Sequence, residues 1–172
     1  MDVILLSADG QPIGTQSKQT VHTRDTPLHQ AFSCHVRNSM GQVLMTRRAL
    51  SKATWPGVWT NSFCGHPQPG EPMETAIGRH AAGELGMAIR DIQVALPDFR
   101  YRAVDASGIV ENEICPVFTA VIDGGITMNP AEVMDYRWAD PAEFAVAVQA
   151  APWVFSPWLV MQASEMPQYQ TG

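Results

Sequence analysis

The order of strand-like and helix-like segments is the strongest constraint on the fold of this chain. Pro72 stands at a favoured first helical position and Gly86 at a favoured stop, so a helix is predicted over Met73 to Leu85. Runs of β-branched and aromatic residues lie on both sides of this helix. Mixed strands and helices predict an α+β fold, a sandwich of helices around a mixed β-sheet.

The remaining elements follow from local patterns. Strands are predicted over 1–7, 32–37, 42–46, 92–96, 99–104, 109–122 and 133–138. Asp140 and Ser156, each followed by proline, are typical of helix N-caps. The uncharged stretch from Phe144 to Ser164 is long enough to cross a membrane. Because prolines and Ser156 interrupt it, two short buried helices explain it better.

Size, charge and cysteine content restrict the class of protein. With 172 residues, the chain is expected to form one domain with its own core. A net charge of −6 argues against nucleic acid or an anionic membrane surface as partner. Three cysteines without a C-x-x-C pair indicate a reducing, cytoplasmic setting, and the N-terminus lacks the basic leader of a signal peptide. Cys34 and Cys115 are predicted to be buried, whereas Cys64 lies between polar loop residues.

A candidate site comes from two short segments. In an extended chain the side chains of Cys64 and His66 point to the same side, and so do those of Glu111 and Glu113. Acids on strands are often merely solvated, and that alternative stays open for the two glutamates. Together with nearby histidines, they favour a metal site beside a thiol.

The helix over 73–85 contains three unfavourable residues. Glu84 lies in its last turn, where the helix dipole disfavours a negative charge by about 0.3–1 kcal/mol. Gly78 and Gly83 each weaken the helix by about 1 kcal/mol relative to alanine, which predicts close packing against backbone or a ligand. An ordinary solvated glutamate is the alternative for Glu84.

The spacing around this helix resembles a Nudix box. Gly65, Glu71 and the run from Arg79 to Met87 stand at the intervals of that family pattern. The positions of His80 and Gly83 are glutamates in the pattern, and only Glu84 is kept. The resemblance implies the Nudix fold, while the missing acids argue against diphosphate hydrolysis.

A more specific resemblance covers Ile4 to Ala163. The blocks that carry it are TRRALSK (46–52), WPGVWTNS (55–62), CGHP (64–67), YRA (101–103), GIVENE (108–113) and the stretch 153–161. They are similar to type I isopentenyl-diphosphate isomerases. The resemblance implies one domain over 1–172, with a Nudix-like core at about 27–161 and an N-terminal strand extension over 1–26. It also implies interconversion of isopentenyl diphosphate and dimethylallyl diphosphate through a tertiary carbocation.

The resemblance also assigns roles to single residues. Cys64 and Glu113 match the two acid/base groups on opposite faces of the substrate, and Tyr101 matches a residue that hydrogen-bonds near that glutamate and relays its proton. Trp158 matches the π face for the carbocation, with a plain core tryptophan as the alternative. The cationic side chains that match substrate-binding positions are Lys18, Arg48 and Lys52.

Two metal sites are implied in the same way. The residues that match a His₃Glu₂ site for Mn²⁺ or Mg²⁺, in which Zn²⁺ is possible, are His22, His29, His66, Glu111 and Glu113. Glu84 and the backbone carbonyl of Cys64 match ligands of a second ion, Mg²⁺, that bridges to the diphosphate. His35 and His80 match no ligand position. His80 stands where a close relative of the family has arginine, which bears on diphosphate affinity.

Two other functions remain open at this point. One is a Nudix hydrolase of a nucleotide-like diphosphate, and the other is a non-catalytic domain that binds an isoprenoid diphosphate. No flavin is expected, because nothing in the chain resembles a flavin-binding barrel. The expected partner is a small-molecule substrate, without nucleic acid or membrane, for a monomer or weak homodimer.

Overall fold

The computed structural model describes residues 1–170 as one α+β unit. Its strands are β1 (Asp2–Leu6), β2 (Pro12–Ser17), β3 (His29–Gln30), β4 (Phe32–Arg37), β5 (Val43–Arg48), β6 (Trp59–Thr60), β7 (Phe63–Gly65), β8 (Ala88–Leu96), β9 (Arg100–Val104), β10 (Val110–Ile114), β11 (Val117–Asp123) and β12 (Val133–Ala139). Its helices are α1 (Lys18–Val21), α2 (Met73–Leu85), α3 (Pro141–Ala150) and α4 (Pro157–Glu165), with 3₁₀ turns at Pro152–Val154 and Pro167–Tyr169.

The strands form two mixed sheets, so the predicted α+β class is confirmed and the mixed sheet is divided in two. One sheet has the order β2-β1-β3-β10-β9. The other has the order β12-β5-β4-β11-β8, with β6 paired to β5 and β7 to β4. The pairs β3–β10 and β4–β11 are parallel, whereas the other pairs are antiparallel.

The division falls inside the predicted strand over 109–122, which is therefore corrected to two strands. Proline has no N–H for a strand ladder, and Pro116 stands at the break. Its carbonyl accepts from the Ser33 N–H, while the Cys115 N–H donates to Phe99. The chain thus leaves one sheet after Ile114 and enters the other at Val117, which places Glu113 in the first sheet only.

Helix α2 has the predicted bounds, but its glycines lie in a different environment from the one predicted. Gly86 ends it in the left-handed conformation (φ 57°), with its N–H directed to the carbonyls of Ala81 and Ala82. A Cβ added at Gly78 or Gly83 would meet no heavy atom within 4 Å among the described residues. The predicted close packing of these two glycines against backbone is therefore wrong, whereas packing against a ligand stays a prediction.

The core has two hydrophobic clusters. Helices α3 and α4 pack Phe144, Trp158 and Leu159 into the first, and α2 packs Ile77 and Leu85 into the second. The predicted pair of short helices is confirmed, although each buries only one face and Trp153 between them is 78% exposed. No helix in residues 1–170 is long and apolar enough to cross a membrane.

The structure also tests the two predicted helix N-caps and the predicted burial of two cysteines. The Asp140 side chain accepts from the N–H groups of Ala142 and Glu143, as an N-cap should. Ser156 precedes α4 without such a bond, and its hydroxyl lies 2.8 Å from that of Thr60. Cys34 and Cys115 are fully buried, as predicted.

Candidate active site

A cavity of about 160 Å³ opens between the two sheets, and we call it the central cavity. Lys18, His22, Arg48, Lys52, Cys64, His66, Tyr101, Glu111, Glu113 and Trp158 line it together with Ala53, Thr54 and Gly65. Ten side chains that the sequence singled out therefore surround one space. His29 is fully buried behind this cavity, and its Nε2 lies 3.4 Å from the Glu113 carboxylate. Glu84 lies outside this lining.

The two sheets supply opposite walls. Glu111 and Glu113 project from β10, and Tyr101 is paired with Glu113 on the neighbouring β9. Cys64 comes from β7, which pairs with β4 of the other sheet. The period of two that the sequence predicted for Cys64 and His66 is realised, because both side chains line the cavity.

Histidines and carboxylates converge at one end of the central cavity. One ligand atom from each of His22, His29, His66 and Glu113 lies within 4.8 Å of the others. Glu111 adjoins this group, since its Oε2 is 3.0 Å from His22 Nε2. Imidazole nitrogens and carboxylate oxygens together suit Mn²⁺ or Zn²⁺. We call these five residues the His/Glu cluster.

Unpaired polar atoms test whether the His/Glu cluster fits an ion. Four buried side-chain atoms in residues 1–170 have no hydrogen-bond partner: Nε2 of His22, Nε2 of His29, Nδ1 of His66 and Oε2 of Glu111. A buried polar atom without a partner is costly, and all four are found in this one cluster. The residues therefore fit a divalent cation.

Charges in the His/Glu cluster are consistent with metal ligation. Burial raises the pKa of Glu113, but the close His29 and His66 rings outweigh it and hold that pKa well below its usual range. The His66 Nε2 is 3.1 Å from the Glu113 carboxylate. Burial lowers the pKa of His66 to about 4, so its ring is neutral near pH 7, the form that binds metals.

The thiol of Cys64 lies between two polar side chains. Its Sγ is 3.2 Å from the Ser33 hydroxyl and 3.3 Å from the Asn61 side-chain oxygen. Burial raises the pKa of Cys64 to about 11, and the hydrogen-bonding contacts of its sulfur with Ser33 and Asn61 oppose that effect. Cys64 therefore keeps its proton at neutral pH while Glu113 is ionised.

Tyr101 adjoins both walls, but no direct relay is formed. Its ring centroid lies 5.7 Å from that of Trp158. Burial, followed by the charge of Glu113, raises the pKa of Tyr101 well above its usual value, so the phenol is protonated. Its hydroxyl makes no hydrogen bond to another residue in 1–170, so the predicted bond near Glu113 is absent from this conformation.

Trp158 belongs to the core and to the cavity wall at once. It is 3% exposed and packs within the first hydrophobic cluster. Its indole N–H donates to the Thr60 hydroxyl (3.0 Å) and to the Asn61 side-chain oxygen (3.1 Å). Arg48 lies 5.3 Å from the centre of the ring. Its position therefore fits both alternatives for this tryptophan, the π face and the plain core residue.

Three cationic side chains, those of Lys18, Arg48 and Lys52, line the central cavity. Lys18 begins α1, and burial, then the charge of Lys52, lowers its pKa. Lys52 forms an ion pair with Glu132. The Arg48 guanidinium donates to the carbonyls of Thr54 and Trp55, which fixes its plane.

Glu84 and His80 form a pair on α2. The Nδ1 of His80 is 2.8 Å from the Glu84 carboxylate, which compensates for that acid's position at the wrong end of the helix. Burial raises the pKa of Glu84, yet the bond to His80 and the charges of Lys52 and Lys18 bring it below its usual value. The other ring nitrogen of His80 accepts from the His66 backbone N–H at 3.4 Å. His80 thus supports the loop behind the cavity.

Several site residues carried no individual prediction. Ser33 and Asn61 contact the thiol, the Thr54 hydroxyl donates to Glu111 at 2.7 Å, and Glu132 pairs with Lys52. A serine in a strand or an amide in a loop looks the same in sequence whether it faces water or a site. Of these four residues, only Asn61 lies in one of the sequence blocks that carry the family resemblance.

Comparisons of fold place the chain among known proteins. The family model of the NUDIX domain matches residues 27–159. A crystal structure from Deinococcus radiodurans has a TM-score of 0.75 at 20% identity and covers 97% of this chain and 99% of that one. A MutT protein from Methanosarcina mazei Go1 has a TM-score of 0.60 at 19% identity, covering 78% and 89%. The fold and the matched model define a Nudix protein.

Comparisons of sequence narrow the assignment. The isopentenyl-diphosphate Delta-isomerase of Clavibacter michiganensis subsp. michiganensis is 58% identical, over 93% of this chain and 82% of that protein. Those of Leifsonia xyli subsp. xyli and Citrobacter koseri are 57% and 55% identical, over 94% and 95% of this chain and 88% and 90% of theirs. The chain therefore belongs to the isopentenyl-diphosphate Delta-isomerase family.

Proposed function

We propose that this protein interconverts isopentenyl diphosphate and dimethylallyl diphosphate by adding a proton to one carbon and removing one from another. The observation that carries the proposal is the placement of Cys64 and Glu113. They project from different sheets into one cavity, which Lys18, Arg48 and Lys52 also line. Moving a double bond by one carbon needs two acid/base groups on opposite sides of the substrate.

The protonation states of the two groups support this chemistry. The buried Cys64 thiol holds its proton, with a pKa of about 11, while the pKa of Glu113 lies well below its usual range. One group is thus a proton donor and the other an acceptor before the reaction begins. Tyr101 is paired with Glu113 in register. We propose that its phenol passes a proton to that carboxylate after a side-chain rotation, because no hydrogen bond joins the two in this conformation.

A tertiary carbocation between the two proton transfers needs a π face and protection from water. We assign the π face to Trp158, which is fixed by two hydrogen bonds from its indole N–H. We further propose that the two sheets keep water away from this face, because water would trap the cation as an alcohol. Tyr101 and Trp55 pack against the same indole and hold its plane.

The diphosphate is assigned to the cationic edge formed by Lys18, Arg48 and Lys52. These are the basic residues of the cavity lining, and the chain contains only two lysines. We propose that Glu84 and the Cys64 carbonyl would hold a Mg²⁺, which would supply positive charge next to the diphosphate. The charges of Lys18 and Lys52 act on Glu84, as expected of groups that share one anion.

The His/Glu cluster is assigned to Mn²⁺ or Mg²⁺, with Zn²⁺ as a possible occupant. A divalent ion bound there would stabilise the ionised form of Glu113 through its charge. No flavin enters this scheme. We further propose a cytoplasmic monomer or weak homodimer that acts on a small molecule, without nucleic acid or membrane. Its three free cysteines and the net charge of −6 support that setting.

One assay tests the proposal against both alternatives. The protein is incubated with isopentenyl diphosphate and Mg²⁺, without flavin, nucleotide or reductant, and dimethylallyl diphosphate is measured. Isomerisation supports the proposal. Phosphate release from a panel of nucleotide diphosphates without isomerisation would favour a hydrolase, and substrate binding without turnover would favour a silent binding domain.

A further inference from the structure

A row of buried polar side chains leads from the Cys64 thiol across the first hydrophobic cluster. Ser33 Oγ is 3.2 Å from the sulfur, and Gln162 Nε2 is 2.8 Å from Ser33 Oγ. His35 Nε2 is 2.9 Å from Gln162 Oε1, and the Tyr169 hydroxyl is 3.0 Å from His35 Nδ1. Ser33, Gln162, His35 and Tyr169 are all at most 3% exposed. We call these four residues the polar row.

The chemistry of the atoms gives the polar row a direction. Burial lowers the pKa of His35 to about 4, so its neutral ring has one N–H. Because Gln162 Oε1 can only accept, that hydrogen is on Nε2, and Nδ1 accepts from the Tyr169 hydroxyl. Gln162 Nε2 donates to Ser33, which leaves the serine hydrogen for the Cys64 sulfur. Every bond therefore donates toward the thiol.

Cys115 completes the surroundings of Ser33. Its sulfur is 3.4 Å from Ser33 Oγ, compared with 3.2 Å for Cys64. A hydroxyl oxygen accepts two hydrogen bonds, so Ser33 can accept from both Gln162 and Cys115 while it donates to Cys64. The single hydroxyl hydrogen of Ser33 is therefore free to bind the Cys64 sulfur.

Asn61 holds the thiol from the other side. Its Oδ1 accepts from the Cys64 thiol (3.3 Å) and from the Trp158 indole N–H (3.1 Å). Its Nδ2 donates to the carbonyls of Cys34 and Phe63, which fixes the amide and excludes a flipped orientation. One amide oxygen thus links the reacting thiol to the tryptophan ring.

Burying this much polarity needs a reason. A methyl or methylene group at each of these positions would fill the same space without a desolvation cost, and fully satisfied networks specify one arrangement of side chains. The polar row ends on the sulfur of Cys64, where hydrogen bonds from both sides leave the thiol one orientation. Effects of about a hundredfold on rate follow from misplacing a reacting group by 1 Å.

We propose that Ser33, Gln162, His35 and Asn61 are positioning residues that hold the Cys64 thiol in its reactive orientation and, through Asn61, in register with Trp158. The inference rests on the proposed function for its kinetic consequences. These residues act through Cys64, so each effect should decrease with distance along the polar row. A purely structural role predicts effects that follow thermal stability instead.

The kinetic test begins with Ser33→Ala. Its kcat with isopentenyl diphosphate should fall by about ten- to a hundredfold, while KM stays within about twofold because the diphosphate contacts are intact. Cys34→Ala is the matched control, since it removes one buried sulfur from the next residue of β4 without touching the polar row. Its kcat should stay within about twofold of the parent protein. Ser33→Thr, which keeps the hydroxyl, should restore most of the rate.

A second variant tests the order of the polar row. Gln162→Leu should lower kcat less than Ser33→Ala, and it should add little in the Ser33→Ala background, because it acts through Ser33. Additive losses in the double variant, or losses that follow the melting temperature across all variants, would overturn the inference. If Ser33→Ala yields no folded protein, Gln162→Leu alone carries the kinetic test.

A measurement independent of activity separates this inference from the proposed function. Side-chain coupling constants in NMR report the χ1 rotamer of Cys64, which should be single in the parent protein and averaged in Ser33→Ala and Asn61→Ala. If the parent does not isomerise the substrate, the proposed function fails and the rotamers still decide the positioning role. An unchanged single rotamer in both variants would refute that role.

Discussion

Helix α2 and the central cavity differ sharply in the acidic residues that they contain. Among the box positions in the last turns of α2, one carboxylate, Glu84, remains, and His80 pairs with it. The cavity instead brings together a protonated thiol, an ionised glutamate, an indole and three cations. The fold therefore positions the site, whereas the residues at that site decide the chemistry.

The contribution of α2 is mainly support for the loop that carries Cys64 and His66. A Cβ at Gly65 would lie 2.5 Å from the His80 ring, so glycine is needed where this helix approaches β7. His80 also accepts from the His66 backbone N–H. The helix therefore shapes the wall of the cavity even where it contributes no acid.

The largest effect is expected from the two proton-transfer groups of the cavity. Cys64→Ala and Glu113→Gln should each lower kcat by about a thousandfold, because each removes an acid/base group. Steady-state kinetics measures the loss, and circular dichroism checks the fold. Cys34→Ala and the exposed Glu143→Gln are the matched controls and should keep their activity. More than a few percent of turnover in either cavity variant would contradict the assignment.

Removal of metal should have the next largest effect. Loss of several kcal/mol of charge stabilisation corresponds to about a hundredfold or more in rate. At a metal concentration a hundredfold above Kd, binding stabilises a fold by about 2.7 kcal/mol, or roughly 5–10 °C in melting temperature for this size.

The measurement compares activity and melting temperature after chelation and after Mn²⁺, Mg²⁺ or Zn²⁺ is added back. Both quantities should recover together, because His22, His29 and Glu113 come from separate parts of the chain and one ion would join them. Full activity in a sample shown by elemental analysis to be metal-free would remove the His/Glu cluster from the mechanism.

Substitutions of Trp158 show whether its ring acts in the reaction or only packs in the core. Trp158→Phe keeps a weaker π face and should stay partly active, whereas Trp158→Leu is bulky and apolar without one. A desolvated cation–π contact of about 2 kcal/mol corresponds to roughly a thirtyfold difference in kcat between the variants. Equal rates at equal melting temperature would assign Trp158 to the core alone.

Glu84 tests whether α2 still takes part in substrate binding. Glu84→Gln should raise KM and the Mg²⁺ requirement about tenfold, a change of 1.4 kcal/mol, while kcat changes little. Glu74→Gln removes an exposed acid from the first turn of the same helix and should change neither. A Mg²⁺ requirement unchanged by Glu84→Gln would separate this residue from the diphosphate, and a collapse of kcat would place it in the chemistry.

The smallest effect concerns stability and comes from the glycines of α2. Gly78→Ala and Gly83→Ala should each stabilise the helix by about 1 kcal/mol and raise the melting temperature by roughly 2–4 °C, because open space surrounds both positions. Gly65→Ala should do the opposite, since His80 occupies the space its methyl group needs. A lower melting temperature in either helix variant would show that this face is covered by another group.

Local structure was predictable to the extent that it depends on neighbours in sequence. The bounds of α2, its left-handed stop at Gly86 and the Asp140 cap follow from side chains that act on backbone groups a few residues away. The prediction of one continuous strand over 109–122 was wrong. A break at Pro116 sends the two halves into different sheets, and that outcome depends on Phe99 and Ser33, far away in the chain.

The candidate site divides in the same manner. Residue types and the period of two predicted that Cys64 lies beside His66 and Glu111 beside Glu113. The family resemblance predicted the other histidines, the cations and Trp158 as site residues. Neither source singled out Ser33, Gln162 or Glu132, because a hydroxyl, an amide or an acid acquires a role only from what it contacts. The predicted packing of Gly78 and Gly83 against backbone failed for the same reason.

By itself, then, the sequence determined the α+β class, the helix that carries Glu84 and the family to which the chain belongs. These features depend on periodicity, caps and residue identity, which are local or can be compared directly. Tertiary structure alone decided that Cys64 and Glu113 face each other from two sheets and that Asn61 joins the thiol to Trp158. Such contacts depend on how distant strands pack, and burial then sets their pKa values and their geometry.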